Sequence, residues 1–168
     1  MTARTNARIA GSTFLIYIAG GMASMALARN APATALLALV MSFSALVLGV
    51  TLYGLTRTQD PDLAMLGMTC RLLEAAPGHG EIYFAVGSTI FSWLLLRGRM
   101  IPVALAWLGV IASALLVLLL PLQIAGLFGG PRAWSSPVTW AVWSPLLLFE
   151  VVLAMWLLIK GVASPFPR

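Results

Sequence analysis

Apolar residues fill long stretches of this chain, and polar residues gather in the short intervals between them. Five apolar segments stand out, at residues 9–28, 33–55, 81–96, 101–126 and 138–159. About 20 residues of α-helix, at roughly 1.5 Å per residue, cross the hydrocarbon layer of a bilayer. The pattern therefore predicts membrane-spanning helices. The first segment is long enough to cross, so we expect it to be a retained span rather than a cleaved signal.

A sixth, shorter segment at residues 62–76, "DLAMLGMTCRLLEAA", contains charged residues, and the distribution of basic residues decides its placement. If it crosses, both termini lie on one side of the membrane. Two basic residues, Arg29 and Arg132, then lie on the opposite side. The side of the termini holds Arg4, Arg8, Arg57, Arg97, Arg99, Lys160 and Arg168. Because basic residues concentrate on the cytoplasmic side, the sequence predicts six spans, a short third one, and both termini in the cytoplasm.

Composition agrees with a single all-α membrane domain over residues 1–168. The chain is 61% hydrophobic and only 9% charged, which leaves too few polar residues for the surface of a soluble domain. The net charge of +5 comes from basic residues scattered singly at the ends of apolar segments. They form no basic patch of the kind that binds nucleic acid, so we expect the lipid bilayer to be the main partner.

Three ionisable residues lie inside the predicted spans. Arg71 and Glu74 fall in the short third span, and Glu150 lies near the midpoint of the last one. A charge at the bilayer centre costs about 2.5–3.5 kcal/mol on insertion scales, so it should face the bundle interior and a partner. We therefore expect Arg71 and Glu150 to meet across the bundle. Glu74, three residues after Arg71, lies on the same helical face.

One arginine facing two glutamates leaves one negative charge over. A site of low dielectric constant resists that excess, so either one glutamate holds a proton or water or a bound cation compensates. Two interpretations follow. The cluster is a transport or ligand site, or it is a structural clamp that fixes the register of the helices.

Other sequence features are less specific. His79, in "PGHGE", is a lone histidine without the further ligands a metal site needs, so we expect a turn residue in the headgroup region rather than a ligand or pH-sensitive group. Gly20 and Ser24 have the small-xxx-small spacing that permits close helix packing. Pro145 should kink the last span and free the carbonyl near Ala141.

The motifs of common enzymes do not occur in the sequence. There is no HExxH pattern, no phosphate-binding glycine loop and no nucleophile near a histidine. Lys160 lies at the membrane edge, which argues against a retinal Schiff base. We therefore expect neither enzyme activity nor a cofactor.

Four stretches resemble a bacterial family of small integral membrane proteins, domain-of-unknown-function family 4386. They are "ARIAGSTFLIY" near the start, "RLLEA" at residues 71–75, "LLLRGRMIPVALAWLGVIA" at 94–112 and "FEVVLAMWLLIKGV" at 149–162. The resemblance implies a six-helix bundle with no assigned activity, and it places Arg71, Glu74 and Glu150 at positions similar to the family's polar residues. This chain is shorter than the family pattern between the third and fourth spans.

Two functional hypotheses remain open at this point. The first is a non-enzymatic protein of the bacterial inner membrane that acts as a structural or accessory subunit, packing against other membrane proteins or against itself. The second is a small carrier or binding protein for a lipophilic or protonatable ligand, using the intramembrane cluster of Arg71, Glu74 and Glu150.

Overall fold

The computed structural model describes residues 2–75, 80–127 and 137–163, and within them it contains helices only. The six helices are α1 (Ala3–Ala26), α2 (Ala31–Thr56), α3 (Pro61–Leu73), α4 (Gly80–Arg97), α5 (Val103–Ile124) and α6 (Pro137–Ile159). The all-α prediction is confirmed for these residues. Four of the helices, α1, α2, α5 and α6, are long and apolar enough to cross a membrane.

Local sequence explains where three of the helices begin. Thr2, Asn30 and Asp60 precede α1, α2 and α3, and each side-chain oxygen accepts a hydrogen bond from a backbone N–H of the first turn, at 3.0–3.2 Å. Such caps satisfy donors that have no partner within the helix. Pro32 and Pro61 occupy the first turns of α2 and α3, where the missing N–H costs nothing.

The six helices form a closed ring. Each helix packs against its neighbours in the chain, and α6 returns to pack against α1. The helices α2 and α4 also touch each other past the short α3. One cluster of buried apolar side chains, with members from every helix, fills the interior of the ring.

The outer surface of the ring is strongly apolar. Leu36, Phe43, Leu118 and Ile159 are each 66% exposed, and many other large apolar side chains accompany them. A soluble monomer rarely exposes apolar surface on this scale, whereas a membrane protein presents such side chains to lipid. The fold and its surface together define a polytopic helical membrane protein.

The short helix α3 is held tightly between its neighbours. A methyl group added at Gly49 of α2 would lie 3.2 Å from Cβ of Arg71, and one added at Gly87 of α4 would lie 3.1 Å from Cβ of Cys70. The absence of side chains at these two glycines lets α3 approach both helices closely. With 13 residues, against 24 in α1, α3 is only about 20 Å long. In its last turn, Cys70 and Arg71 are buried in the interior, whereas Leu72 and Leu73 are exposed.

Candidate functional site

The side chain of Arg71 projects from the last turn of α3 into the ring and is only 1% exposed. Its Nη1 donates a hydrogen bond to Oε2 of Glu74 at 3.0 Å, and its Nη2 donates to Oγ of Ser88 on α4 at 3.0 Å. The same Nη2 lies 3.6 Å from Oε1 of Glu150 on α6. The guanidinium carbon lies 4.8 Å from the ring centre of Phe84, in cation–π geometry.

A tyrosine from α1 completes this arrangement. The hydroxyl of Tyr17 donates a hydrogen bond to Oε1 of Glu74, so that the Glu74 carboxylate lies between Tyr17 and Arg71. We refer to Tyr17, Arg71, Glu74, Ser88 and Glu150 as the polar cluster. Its members come from α1, α3, α4 and α6, so the cluster ties four of the six helices together.

The polar cluster is not saturated with hydrogen bonds on the Glu150 side. Oε1 of Glu150 is buried and makes no hydrogen bond within the described part of the chain, although it lies 3.6 Å from Nη2 of Arg71 as an ion pair. Because a carboxylate normally accepts several hydrogen bonds, Glu150 retains capacity for a further donor.

A cavity of about 590 Å³ adjoins the polar cluster and lies between α1, α4 and α6. Glu74 and Glu150 of the polar cluster both line it, and so do Ala28, Glu81 and Trp140, which lie where α1 ends and where α4 and α6 begin. Pockets of 300–1,000 Å³ are the usual size for drug-sized ligands. This cavity is therefore large enough for a small organic molecule.

Aromatic rings form one wall of the cavity. Tyr17 stacks on Phe84 with ring centres 6.3 Å apart, and Phe84 stacks on Trp143 with centres 5.7 Å apart. Trp140 and several methionines, including Met22 and Met25, complete an apolar lining. Carboxylates thus meet a predominantly apolar and aromatic chamber.

No metal site is evident in residues 2–75, 80–127 and 137–163, because no three His, Cys, Asp or Glu side chains are placed there to hold a metal ion. His79, interpreted from sequence as a turn residue, lies outside the described residues.

The structure brings Arg71, Glu74 and Glu150 together. Of the two small residues singled out in α1, Gly20 lies against α2, where an added methyl group would be 3.2 Å from Cγ of Met41, and Ser24 lines the cavity. Their role in helix packing stays a prediction. Another α1 glycine, Gly11, lies closer still to its neighbour, since a methyl group there would be 2.7 Å from the carbonyl oxygen of Ala154 in α6.

Pro145 lies inside α6, five residues before Glu150. Its ring nitrogen has no proton to donate to the carbonyl of Ala141, so the helix lacks one of its regular hydrogen bonds there. Trp143 and Ser144, immediately before the proline, line the cavity. The kink at Pro145 stays a prediction.

Tyr17, Ser88 and the aromatic wall were not predicted from the sequence. The only signal for Tyr17 is a phenol halfway along an apolar span, where a hydroxyl group requires a buried partner. Nothing in the sequence pairs it with Glu74, 57 positions away.

The family model described as "Domain of unknown function (DUF4386)" matches residues 78–161, which is half of the chain. The chain therefore belongs to this family, and the resemblance inferred from the sequence is confirmed. The match spans α4, α5 and α6 and includes Glu150, while Arg71 and Glu74 lie before it. No curated protein and no solved structure matches the chain.

Proposed function

We propose that the protein is a membrane-embedded binding protein or carrier for a small amphipathic molecule. The observation that supports this most directly is the cavity of about 590 Å³, whose lining includes the carboxylates of Glu74 and Glu150. A clamp that only fixes helix register needs no such space, since protein interiors otherwise pack to high density. The ligand's apolar part would occupy the aromatic chamber, and its polar group would reach the carboxylates.

The membrane topology that goes with this proposal has six crossings, with both termini in the cytoplasm of a bacterial cell. Its support is the excess of basic residues on the side of the termini, together with the closed ring in which α3 and α4 pack against longer helices. In this orientation, the cavity opens toward the face opposite the termini, where α1 ends and α6 begins. The ligand would then enter from outside the cytoplasm.

Binding without chemical conversion is the proposed activity. The described residues that line the cavity include no Cys, His or Lys, and the hydroxyl groups there belong to Tyr17, Ser24 and Ser144. A serine nucleophile requires an adjacent base such as a histidine. Methionine side chains, which adapt to ligands of different shape, suit reversible binding.

An accessory role, in which the chain packs against other membrane subunits, stays a prediction. The exposed apolar side chains of the outer surface would suit neighbouring helices and lipid equally well. The cavity gives a specific reason to place ligand binding first.

Native mass spectrometry of protein extracted gently from its membrane tests the proposal. We expect each wild-type chain to retain a small molecule, and we expect Gly21→Phe to lose it. Gly21 lines the cavity, and the nearest atom to an added methyl group there is Cε of Met41 at 3.7 Å. A phenylalanine at this position therefore has room to project into the cavity and fill it.

The matched control is Gly21→Ala, which adds one methyl group and should keep the ligand. A wild-type chain without any retained molecule, or the same molecule retained by Gly21→Phe, would contradict the proposal. A stoichiometric larger assembly without a ligand would support the accessory role instead.

A further inference from the structure

We propose that the cavity selects an organic cation, meaning a lipophilic molecule with either a protonated amine or a permanently charged quaternary group. This inference rests on the proposed binding function and specifies its ligand class. It combines two observations: the unbalanced charge of the polar cluster and the aromatic wall beside it.

Neither of the two terminal nitrogens of Arg71 makes its short hydrogen bond to Glu150. Nη1 of Arg71 is hydrogen-bonded to Glu74 and Nη2 to Ser88, both at 3.0 Å. Glu150 has only the longer contact of 3.6 Å with Nη2, and its buried Oε1 makes no hydrogen bond to the described residues. One positive charge thus faces two carboxylates. A cationic ligand group beside Glu150 would supply the missing positive charge.

The charged side chains among the described residues that line the cavity all have the same sign. Of the described residues that line it, three are glutamates, Glu74, Glu81 and Glu150, and none is a lysine or an arginine. Arg71 lies behind the carboxylates and does not line the cavity. A cleft with carboxylates and apolar walls concentrates cations and repels anions.

The aromatic wall supports the same ligand class independently of the charge count. Tyr17, Phe84, Trp140 and Trp143 line the cavity, and the faces of such rings attract cations, Trp most strongly. Phe84 already holds the guanidinium of Arg71 at 4.8 Å, which shows this interaction within the cluster. A bound organic cation would find the same type of surface on the neighbouring rings.

A proton and an organic cation would compete for the same carboxylate. Among the described residues, the charged and titratable groups around Glu150 are Arg71 and Glu74 at the end of α3 and Tyr17 from α1, and Glu81 of α4 also lines the cavity. Val103–Ile124 of α5, the other neighbour of α6, contains no titratable residue. Protonation of Glu150 removes the excess negative charge, so binding of the cation should weaken as the pH is lowered.

Equilibrium binding of two hydrophobic ions of similar shape and opposite charge, tetraphenylphosphonium and tetraphenylborate, tests the inference. The full chain in lipid nanodiscs is compared with empty nanodiscs. We expect the wild type to bind the phosphonium at least tenfold more tightly than the borate. Glu150→Gln should weaken phosphonium binding at least tenfold. Asp62→Asn, an equal change of charge in the first turn of α3 and away from the cavity, should leave binding unchanged.

The outcomes separate the two proposals. Equal binding of both ions, abolished in each case by Gly21→Phe, would overturn the preference for cations and leave the binding function standing. Binding that Gly21→Phe does not affect, or no binding beyond that of empty nanodiscs, would contradict both proposals. If Glu150→Gln does not fold, a pH titration of the wild type decides, because phosphonium affinity that does not fall in acid overturns the inference.

Discussion

The two ends of the short helix α3 each bear an ion pair, and the pairs differ in their access to water. At the start, Asp60 caps the helix and lies 3.4 Å from Arg97, with the two side chains 35% and 54% exposed. At the other end, Arg71 lies 3.0 Å from Glu74, with exposures of 1% and 8%. The same types of charged group therefore meet in solvent at one end and inside the ring at the other.

This difference decides what each pair does. Water replaces a lost partner at the exposed end, so the pair there adds little to stability. At the buried end the ion pair is shielded from water, so that removal of one partner leaves a poorly compensated charge. The buried end therefore requires a full set of partners. It is also the end that adjoins the cavity.

The largest expected effect is that of Arg71→Leu at the buried end. It leaves Glu74 and Glu150 without their common cation, so the free energy of unfolding should fall by on the order of 3–5 kcal/mol. Thermal unfolding in detergent, followed by circular dichroism, measures the change. Arg71→Lys keeps the positive charge but lacks the planar guanidinium. Its free energy of unfolding should therefore lie between those of the wild type and Arg71→Leu. Wild-type stability of Arg71→Leu would show that the carboxylates do not depend on this arginine.

A smaller effect is expected where α4 packs against the buried end of α3. Gly87→Val places atoms where a single added methyl group already lies 3.1 Å from Cβ of Cys70, so it should destabilise the protein by about 1–3 kcal/mol. Gly98→Val, at the exposed end, is the matched control, because its nearest neighbours are side-chain atoms of Gln59 and Met100 at 2.9 Å. Those side chains can turn away. Equal losses of stability in both variants would contradict the proposed difference in packing.

The smallest effect is expected for the exposed pair. Arg97→Ala should change the free energy of unfolding by no more than about 1 kcal/mol, since the ion pair with Asp60 is largely solvated. Added salt should weaken the wild-type pair, and so reduce even this difference. A loss comparable to that of Arg71→Leu would mean that access to water does not distinguish the two ends.

The positions of the helices were predictable from the sequence because their signals are local. Long apolar runs are bounded by capping residues such as Asn30 and Asp60 and by prolines in the first turns. The sequence also predicted that the charged residues inside the spans have buried partners. A charge inside a bilayer requires a partner however the helices are arranged. Arg71 and Glu150 lie at comparable depths within their predicted spans, so they were expected to meet.

Only the tertiary structure decided which faces of the helices meet. Membrane helices are apolar all round, so hydrophobic periodicity does not reveal how each is rotated about its axis. For this reason the sequence did not reveal that Gly20 lies against Met41 of α2 or that Gly11 lies against Ala154 of α6. The same freedom of rotation hid the hydrogen bond from Tyr17 to Glu74 and the cavity beside Glu150. Sequence determined which residues need partners, and the packing of the ring determined which partners they found.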